Sequence, residues 1–485
     1  MRIWFVQFAS CMLVCGCLGG ERSQPVLNAP PSAARIWPRV VNIGDTPFTL
    51  TVIGSGFNPS SVVQLDGSAR STTFVSASEL LAQISALDIS TTRSAGVTVV
   101  NPGTQNQVSS QLILSVASPS PDAASFQLNF RRTNTVTFKT ILSPSNWPST
   151  ALGNWSVDVG GMFTFPLVAA GKVFLIVVPS SGGNDTLVAL DQTTGQIAWG
   201  PTPVPMSGPA NAVYDAGTVF VLNGSNAALP GVMLAFDAAS GALKWSTTLQ
   251  GQYGFSMAPN AASGLVFAIG DGLGATLWAL DESTGAIAWQ RNVNADASPT
   301  LSDDGLFIMD PCQSFAFRPA TGELIWSGPL YCGGGLGFAS TFANGLLYPQ
   351  YPGMSSSGTA FSAVTGLPVG TFPGGGRAIG KQYGYFEAAS GLHAVALATQ
   401  IDAWVVGNLF LTGSPIVVNN YVFSCSQFGI LYALDSTSGA TVWQQDLSAG
   451  GLPAPWCSQD LSAGDGFLLV GSNTTLTAFR LSTNP

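Results

Sequence analysis

One histidine, His393, serves the whole chain of 485 residues. A nucleophile activated by imidazole therefore has a single base to use, and a multi-histidine metal site cannot be built. His393 lies in GLHAVALA, an alternating run read as a strand, where a hydrogen-bonded structural histidine is the simpler reading. The carboxylates that could act as a base or hold a cation are scattered: Asp296, Asp303, Asp304, Asp310 and Asp460. Asp303-Asp304-Gly305 reads as a hairpin turn before it reads as a pair of catalytic acids. The glycine runs Gly333 to Gly335 and Gly374 to Gly376, the latter followed by Arg377, have neither phosphate-loop spacing nor a helix to open, and read as junction loops. These patterns assign no catalytic, cofactor-binding or metal-ligating residue.

Of seven cysteines, Cys11, Cys15 and Cys17 fall in the N-terminal segment. There Met1 and Arg2 precede an apolar stretch over residues 3–14, too short to span a membrane but suited to a secretory signal. It ends in Val14-Cys15-Gly16-Cys17, which resembles a bacterial lipobox. The resemblance implies that residues 1–17 are a lipoprotein signal and that Cys17 is acylated and becomes the N-terminus; cleavage near Gly19 is the alternative. Leu18 after Cys17 is not acidic, which favours the outer membrane or cell surface. Two acyl chains would anchor the protein stably. The remaining four, Cys312, Cys332, Cys425 and Cys457, suit an oxidising compartment, and the register of the repeats described below predicts the pairs Cys312 with Cys332 and Cys425 with Cys457. A metal site is the weaker reading, because no histidine or paired CxxC accompanies them.

Charged residues make up 8% of the chain and hydrophobic ones 46%, with 56 glycines and 31 prolines. Such a composition favours short strands and tight turns over helices, an all-β class. The net charge of −9, without a basic run, leaves nothing from which to build a phosphate-tracking surface, so nucleic acid is not an expected partner.

The strongest pattern is a ladder of tryptophans at Trp155, Trp199, Trp245, Trp289, Trp326, Trp404 and Trp443, spaced 44, 46, 44, 37, 78 and 39 residues apart. A period of about 40 to 45 residues marks a β-propeller blade. Most rungs close an eleven-residue tail, such as ALDQTTGQIAW (189–199), AFDAASGALKW (235–245), ALDESTGAIAW (279–289), AFRPATGELIW (316–326) or ALDSTSGATVW (433–443). Weaker copies are AFSAVTGLPVG (360–370), with Gly370 in place of tryptophan, and ALATQIDAW (396–404), without the turn glycine. Each tail reads as third strand, glycine turn and outer strand, its tryptophan docking on the next blade. The tails resemble the repeat of pyrroloquinoline-quinone-type propellers over residues 151–485. LTAFRLSTNP (476–485) ends after a third strand, while NWSVDVGGMFTF (154–165) mimics an outer strand, so an eight-bladed β-propeller closed by the N-terminal strand is predicted.

Before the repeats, residues 18–35 read as a Pro/Ser/Ala-rich tether, and 36–117 as an immunoglobulin-like β-sandwich. The runs FTLTVIGSGF (48–57), SVVQLDG (61–67), TTFVSASELLAQI (72–84) and AGVTVVNPG (95–103) resemble the IPT/TIG family, which implies a spacer or interaction module. Residues 118–150 read as a linker, with an alternating run over 126–141 that offers an extra strand.

The quinone-type resemblance also implies a rival activity, a PQQ-dependent dehydrogenase, with calcium and an aspartate base near the ring centre. The chain lacks the adjacent cysteine pair of many such enzymes, and no cofactor is expected. Tyr253, Phe255, Tyr331, Phe338, Tyr348, Tyr351 and Trp456, on or beside entry strands and inter-blade loops, form a candidate binding surface for protein side chains or sugar rings, with blade core as the plain alternative. The expectation is a non-catalytic, exported, lipid-anchored scaffold that binds protein or polysaccharide. Its lipobox and blade number resemble the propeller lipoproteins of the outer-membrane β-barrel assembly machine.

Overall fold

The computed structural model describes residues 30–485 apart from 104–106, 151–152, 205–209, 225–229, 251–256, 271–274, 294, 296, 311–312, 330–338, 351–357, 453–456, 458–460 and 484–485. The expected signal, Cys17 and most of the expected tether lie outside the described residues.

Alternation in the first unit puts Leu50, Val52, Val63, Leu80, Val97 and Val99 on facing sides of two sheets, each fully or almost fully buried. One sheet orders Ser32–Trp37, Phe48–Ser55, Glu79–Ile84 and Thr72–Ser76; the other runs from Val40–Asn42 through Leu112–Ala117, Arg93–Asn101 and Val62–Leu65 to Ser68–Ala69. Burying each such side chain contributes roughly 1.5–3 kcal/mol. Asp66-Gly67 closes a two-residue hairpin with φ of +49° and +79°, the left-handed pair such a turn requires. The first strand starts at Ser32, so the sandwich takes in four residues assigned to the tether.

Beyond residue 154 come eight sheets built from antiparallel strands, over 161–203, 211–249, 260–292, 300–329, 339–372, 377–406, 411–446 and 462–480; Thr135–Val136 adds a parallel edge strand to the seventh and Trp155–Asp158 an antiparallel one to the last. The architecture is a β-propeller. Its repeated tail folds for visible reasons. In the third sheet, Thr276–Asp281 alternates Leu277, Ala279 and Trp278, Leu280 onto two buried faces. Asp281 Oδ1 then accepts the N–H groups of Ser283 and Thr284, both at 3.1 Å, and Gly285 takes φ of +73°. Those hydrogen bonds hold the Asp281 carboxyl below its ordinary range, although burial works the other way.

The outer-strand tryptophan always faces an alanine of its own third strand: Trp199 with Ala189, Trp245 with Ala235, Trp289 with Ala279, Trp326 with Ala316, Trp404 with Ala394, Trp443 with Ala433. The small residue leaves room for the indole to turn toward the next sheet. There Trp199 Nε1 donates to the Ala238 carbonyl at 3.0 Å, and a β-carbon on Gly241 would lie 2.5 Å from the ring. Only glycine therefore fits beneath it. Trp155 repeats this in the last sheet: Trp155–Asp158 pairs antiparallel with Thr475–Arg480, Trp155 opposite Ala478, and its Nε1 donates to Gln192 of the first sheet at 2.9 Å. First and last sheets are thereby joined. Trp443 has no hairpin glycine ahead of it and packs edge-on against Trp147 at 5.8 Å.

The sandwich is fastened to the third and fourth sheets. Trp37, 2% exposed, sits in the core of the third, edge-on to Phe267 at 5.9 Å. Arg39 N–H donates to Ser263 Oγ at 3.0 Å and Thr49 N–H to Asp304 Oδ1 at 2.8 Å. Arg318 lies 3.6 Å from Glu79.

Candidate functional site

The centre of the ring is filled by the chain itself. Residues 121–136, expected to be linker and extra strand, meet an inner strand or its hairpin turn in each of the eight sheets. The Pro121 carbonyl accepts from Asp465 N–H, Ala123 bridges Val168, and the Ala124 carbonyl accepts from Tyr214 N–H. The Phe130 carbonyl takes Asn260 Nδ2 at 2.8 Å and Leu301 N–H at 3.0 Å. Phe342, Ile379 and Val417 then donate their N–H groups to the carbonyls of Arg131, Thr133 and Asn134. A segment this short can reach all eight sheets only through the middle. The expected extra strand shrinks to Thr135–Val136, because Gln127, Leu128, Arg132 and Asn134 take left-handed φ of +62°, +72°, +56° and +53° and break the alternation.

Arg132 is the anchor of this plug. It is fully buried, and its guanidinium donates to the carbonyls of Pro299, Ala258, Pro259 and Phe126 at 2.9 to 3.3 Å. Among the described residues no carboxylate pairs with it, and burial pulls its pKa down to about 9. Its own carbonyl accepts Thr341 Oγ1, and Arg377, equally buried, donates to Thr341 Oγ1 and to the Ala339 carbonyl. Neighbouring Arg131 leaves the ring centre to bind Asp45 of the sandwich and Asp303 of the fourth sheet. Burial works against the Arg131 guanidinium, but Asp303 and Asp45 raise it above its ordinary value. Burial also pushes Asp303 up to about 6, so at neutral pH both partners are charged. Asp303 and Asp304 are thus docking groups for the plug and the sandwich.

A quinone cofactor and its cation would need this same space. The plug takes part of it, with Arg132 and the plug carbonyls using the inner-strand groups named above, and among the described residues no group of three His, Cys, Asp or Glu side chains could hold a metal. The described residues around the plug do not fit the cofactor and its cation.

Of the other acids, Asp310 is buried at a strand end, and Asp296 and Asp460 lie outside the described residues. His393 Nε2 is 2.6 Å from Ser390 Oγ and its Nδ1 is 3.1 Å from Asp402 Oδ2, a contact order the sequence reading did not anticipate. Gly374 to Gly376 form a junction, as expected; Gly333 to Gly335 lie outside the described residues.

Within the candidate aromatic surface, Tyr348 is placed in the blade core, 5% exposed, with its ring 5.4 Å from Phe372. Its strand turns it inward, which corrects its assignment to a binding surface. Tyr253, Phe255, Tyr331, Phe338, Tyr351 and Trp456 lie outside the described residues, as do Cys312 and Cys332. Cys425 and Cys457 form a disulfide. The exposed aromatics that the structure does bring together are Phe410 and Phe428, which no repeat pattern distinguished.

Fold and repeat define a quinone-type β-propeller, and the comparisons narrow the class. The family described as outer membrane protein assembly factor BamB matches residues 183–335 and 385–483, just over half of the sequence, and the chain belongs to that family. Among curated proteins it is 27% identical over 229 residues to outer membrane protein assembly factor BamB of Yersinia pestis, covering 45% of this chain and 53% of that one. It is 22% identical over 283 residues to tetrathionate hydrolase of Acidithiobacillus ferrooxidans, covering 51% and 55%. The chain thus spans about half the length of the curated relatives it matches. Among solved structures, BamB from Moraxella catarrhalis superposes with a TM-score of 0.50 at 16% identity, covering 68% of this chain and 97% of that one. Quinohemoprotein alcohol dehydrogenase from Comamonas testosteroni gives 0.56 at 13% identity, covering 74% and 80%. At these identities the likeness is one of fold alone.

Proposed function

We propose that this protein is a non-catalytic envelope lipoprotein, anchored through Cys17, in which an IPT/TIG-type immunoglobulin-like sandwich is fixed to a closed eight-bladed ring that binds partner proteins at the outer membrane. The plug carries this reading. A propeller that spends its centre on its own segment, with a fully buried Arg132 donating to four carbonyls, leaves the rim and mouths as its free surface, where partner proteins can dock. Family membership supports a role in outer-membrane protein assembly, and the fixed sandwich suits a spacer that presents the ring at a set angle.

Crosslinking in the native envelope followed by mass spectrometry tests it. Recovery of a barrel-assembly component is expected, and its repeated absence counts against the assembly role. Cys17→Ser should move the protein from the membrane to the soluble fraction. The rival reading, a PQQ-dependent dehydrogenase, draws on fold likeness to alcohol dehydrogenases. Titration with the quinone and calcium should leave the absorbance spectrum unchanged; dye reduction by the loaded protein would restore the enzyme.

A further inference from the structure

We propose that the outer hairpin of the fifth sheet, where Val364, Leu367, Pro368 and Val369 are exposed, is a membrane-contact site that lies on a zwitterionic lipid surface beside the Cys17 anchor. This contact rests on the lipid-anchor reading above and adds a second point at which the chain meets the bilayer.

The fifth sheet is the only one of the eight whose sequence carries no charge. No Asp, Glu, Lys, Arg or His occurs between Glu323 and Arg377, a run of 53 residues in which the chain's 8% would place about four. Arg377 itself is fully buried. A charge pressed against hydrocarbon costs free energy, and this blade has none to bury.

The hairpin does not need its apolar residues to fold. Gly366 takes φ of +69°, Thr365 N–H donates to Ser362 Oγ at 3.3 Å, and Gly366 N–H donates to the Ser362 carbonyl at 2.8 Å. The five other tails that keep the turn glycine carry Ala, Ser or Thr where Val364 stands, and Ala, Gln or Glu where Leu367 stands. Here Val364 is 77% exposed, Leu367 63% and Val369 48%. Across the junction Gln400 meets Gly370, so Ile401, 66% exposed, continues the same edge. Single exposed aliphatic residues are ordinary, but a run of them on one charge-free edge marks a contact.

The place of the hairpin on the ring says what it meets. The sandwich docks on the side that carries the first and third turns of the sheets, through Ser263 and Asp304 in first turns and Asp281 and Arg318 in third turns. Residues 363–367 form the third turn of the fifth sheet and lie on that side. The chain enters the sandwich one sheet away, where Ala34 of the first strand lines a cavity with Ala288 of the third sheet and Ala320 of the fourth. Fourteen residues, 18–31, separate Cys17 from that strand, and at full extension they span no more than about 50 Å. An anchored chain therefore keeps this edge of the ring near the bilayer, where a contact of few side chains gains from being held in place. Protein contacts centre instead on Trp, Tyr and Arg, none of which this hairpin presents. A net charge of −9 disfavours anionic lipid, which leaves a zwitterionic surface as the match.

The acylated full chain on phosphatidylcholine vesicles whose acyl chains carry a diazirine provides the test. After irradiation, mass spectrometry should find lipid adducts on residues 362–369 at least about fivefold above those on Leu243–Leu249, an exposed outer strand of the second sheet. Val364→Thr with Leu367→Gln borrows the residue types of the first sheet's turn and so keeps the hairpin; adducts on Val369 and Ile401 should then fall about fivefold. Adducts confined to the acylated N-terminus would overturn the hairpin contact and leave the anchor standing. A wild-type chain that stays soluble would remove the anchor and this contact together. A dimer in sedimentation that the double variant dissociates would hand the patch to a second copy and overturn lipid as its partner.

Discussion

Gly370 and Gln400 face each other where the fifth sheet meets the sixth, and a β-carbon on Gly370 would lie 2.5 Å from Gln400 Nε2. Six other junctions hold a tryptophan over a glycine, those of Trp155, Trp199, Trp245, Trp289, Trp326 and Trp404. Here both members are exchanged at once: the outer strand has no indole, and the turn residue, still left-handed at φ of +58°, carries a side chain that fills the gap. Gly370→Trp should destabilise the chain by about 1–3 kcal/mol through overpacking against Gln400. Gly370→Trp with Gln400→Gly should recover most of that loss, because glycine suits the turn. Denaturant unfolding of the four proteins in the cycle gives the coupling directly; additive effects would show that the two residues do not compensate.

Arg132 predicts the cost of breaking the plug. Arg132→Met removes a buried guanidinium and takes its donors from the Ala258 and Pro259 carbonyls, while Pro299 keeps Asn260 Nδ2 and Phe126 keeps Ser125 Oγ, so a loss of about 3–5 kcal/mol is expected. Arg132→Lys should rescue little, since an ammonium cannot reach carbonyls on three sides. Unfolding midpoints of the two variants decide this. Near-wild-type stability in either would mean that the plug is dispensable.

Legibility of the fold followed locality. Trp199 over Gly241 was readable because turn, strand and indole lie within one repeated tail whose spacing exposes its physics. Ring closure by Trp155 was readable for the same reason, as a tail fragment displaced to the other end of the repeats. The plug was not. Its alternating apolar residues look like a strand, and the left-handed turns at Gln127 and Arg132 join local hydrogen bonds such as Arg132 N–H to the Asn129 carbonyl with contacts to residues far along the chain. Nor could a repeat pattern single out Phe410 and Phe428, which lie in loops where the blades differ. Arg131 and Arg132, adjacent in a chain with 16 basic residues, were the one available signal that 118–150 is more than linker.

The disulfide closes a separation of 32 residues between Cys425 and Cys457. Cys425→Ser with Cys457→Ser should cost about 3–4 kcal/mol on the loop-entropy account. Thermal unfolding of the double variant checks this, and an unchanged midpoint would show that the crosslink adds nothing to stability.

Asp465 and Asp122 meet where the plug enters the ring. Burial, then the Asp122 charge, pushes Asp465 up to about 6, and Asp122 is raised by burial as well. Tyr214 faces the same pair. The sign is set by proton counting: between the ordinary aspartate value and about 6 the folded state holds more protons than the unfolded one. This contribution is therefore fully present below that window and is lost as pH rises through about 6. Asp465→Asn should flatten the fall in melting temperature between about pH 4 and 7 and raise it at pH 7. An unchanged profile would show that the pair does not share a proton.

Ser390, His393 and Asp402 repeat the contacts of a hydrolase relay, hydroxyl to Nε2 at 2.6 Å and Nδ1 to carboxylate at 3.1 Å. The surroundings differ. The Asp402 side chain is 42% exposed, and Ser390 stands on an open hairpin turn. Water at such a site screens the carboxylate and competes for any oxyanion, removing the enclosure that gives fixed dipoles their catalytic strength. A fluorophosphonate probe should therefore leave Ser390 unlabelled, and wild type and Ser390→Ala should hydrolyse p-nitrophenyl acetate at the same background rate. Labelling at Ser390 that disappears in His393→Ala would make the chain a hydrolase and overturn its non-catalytic assignment.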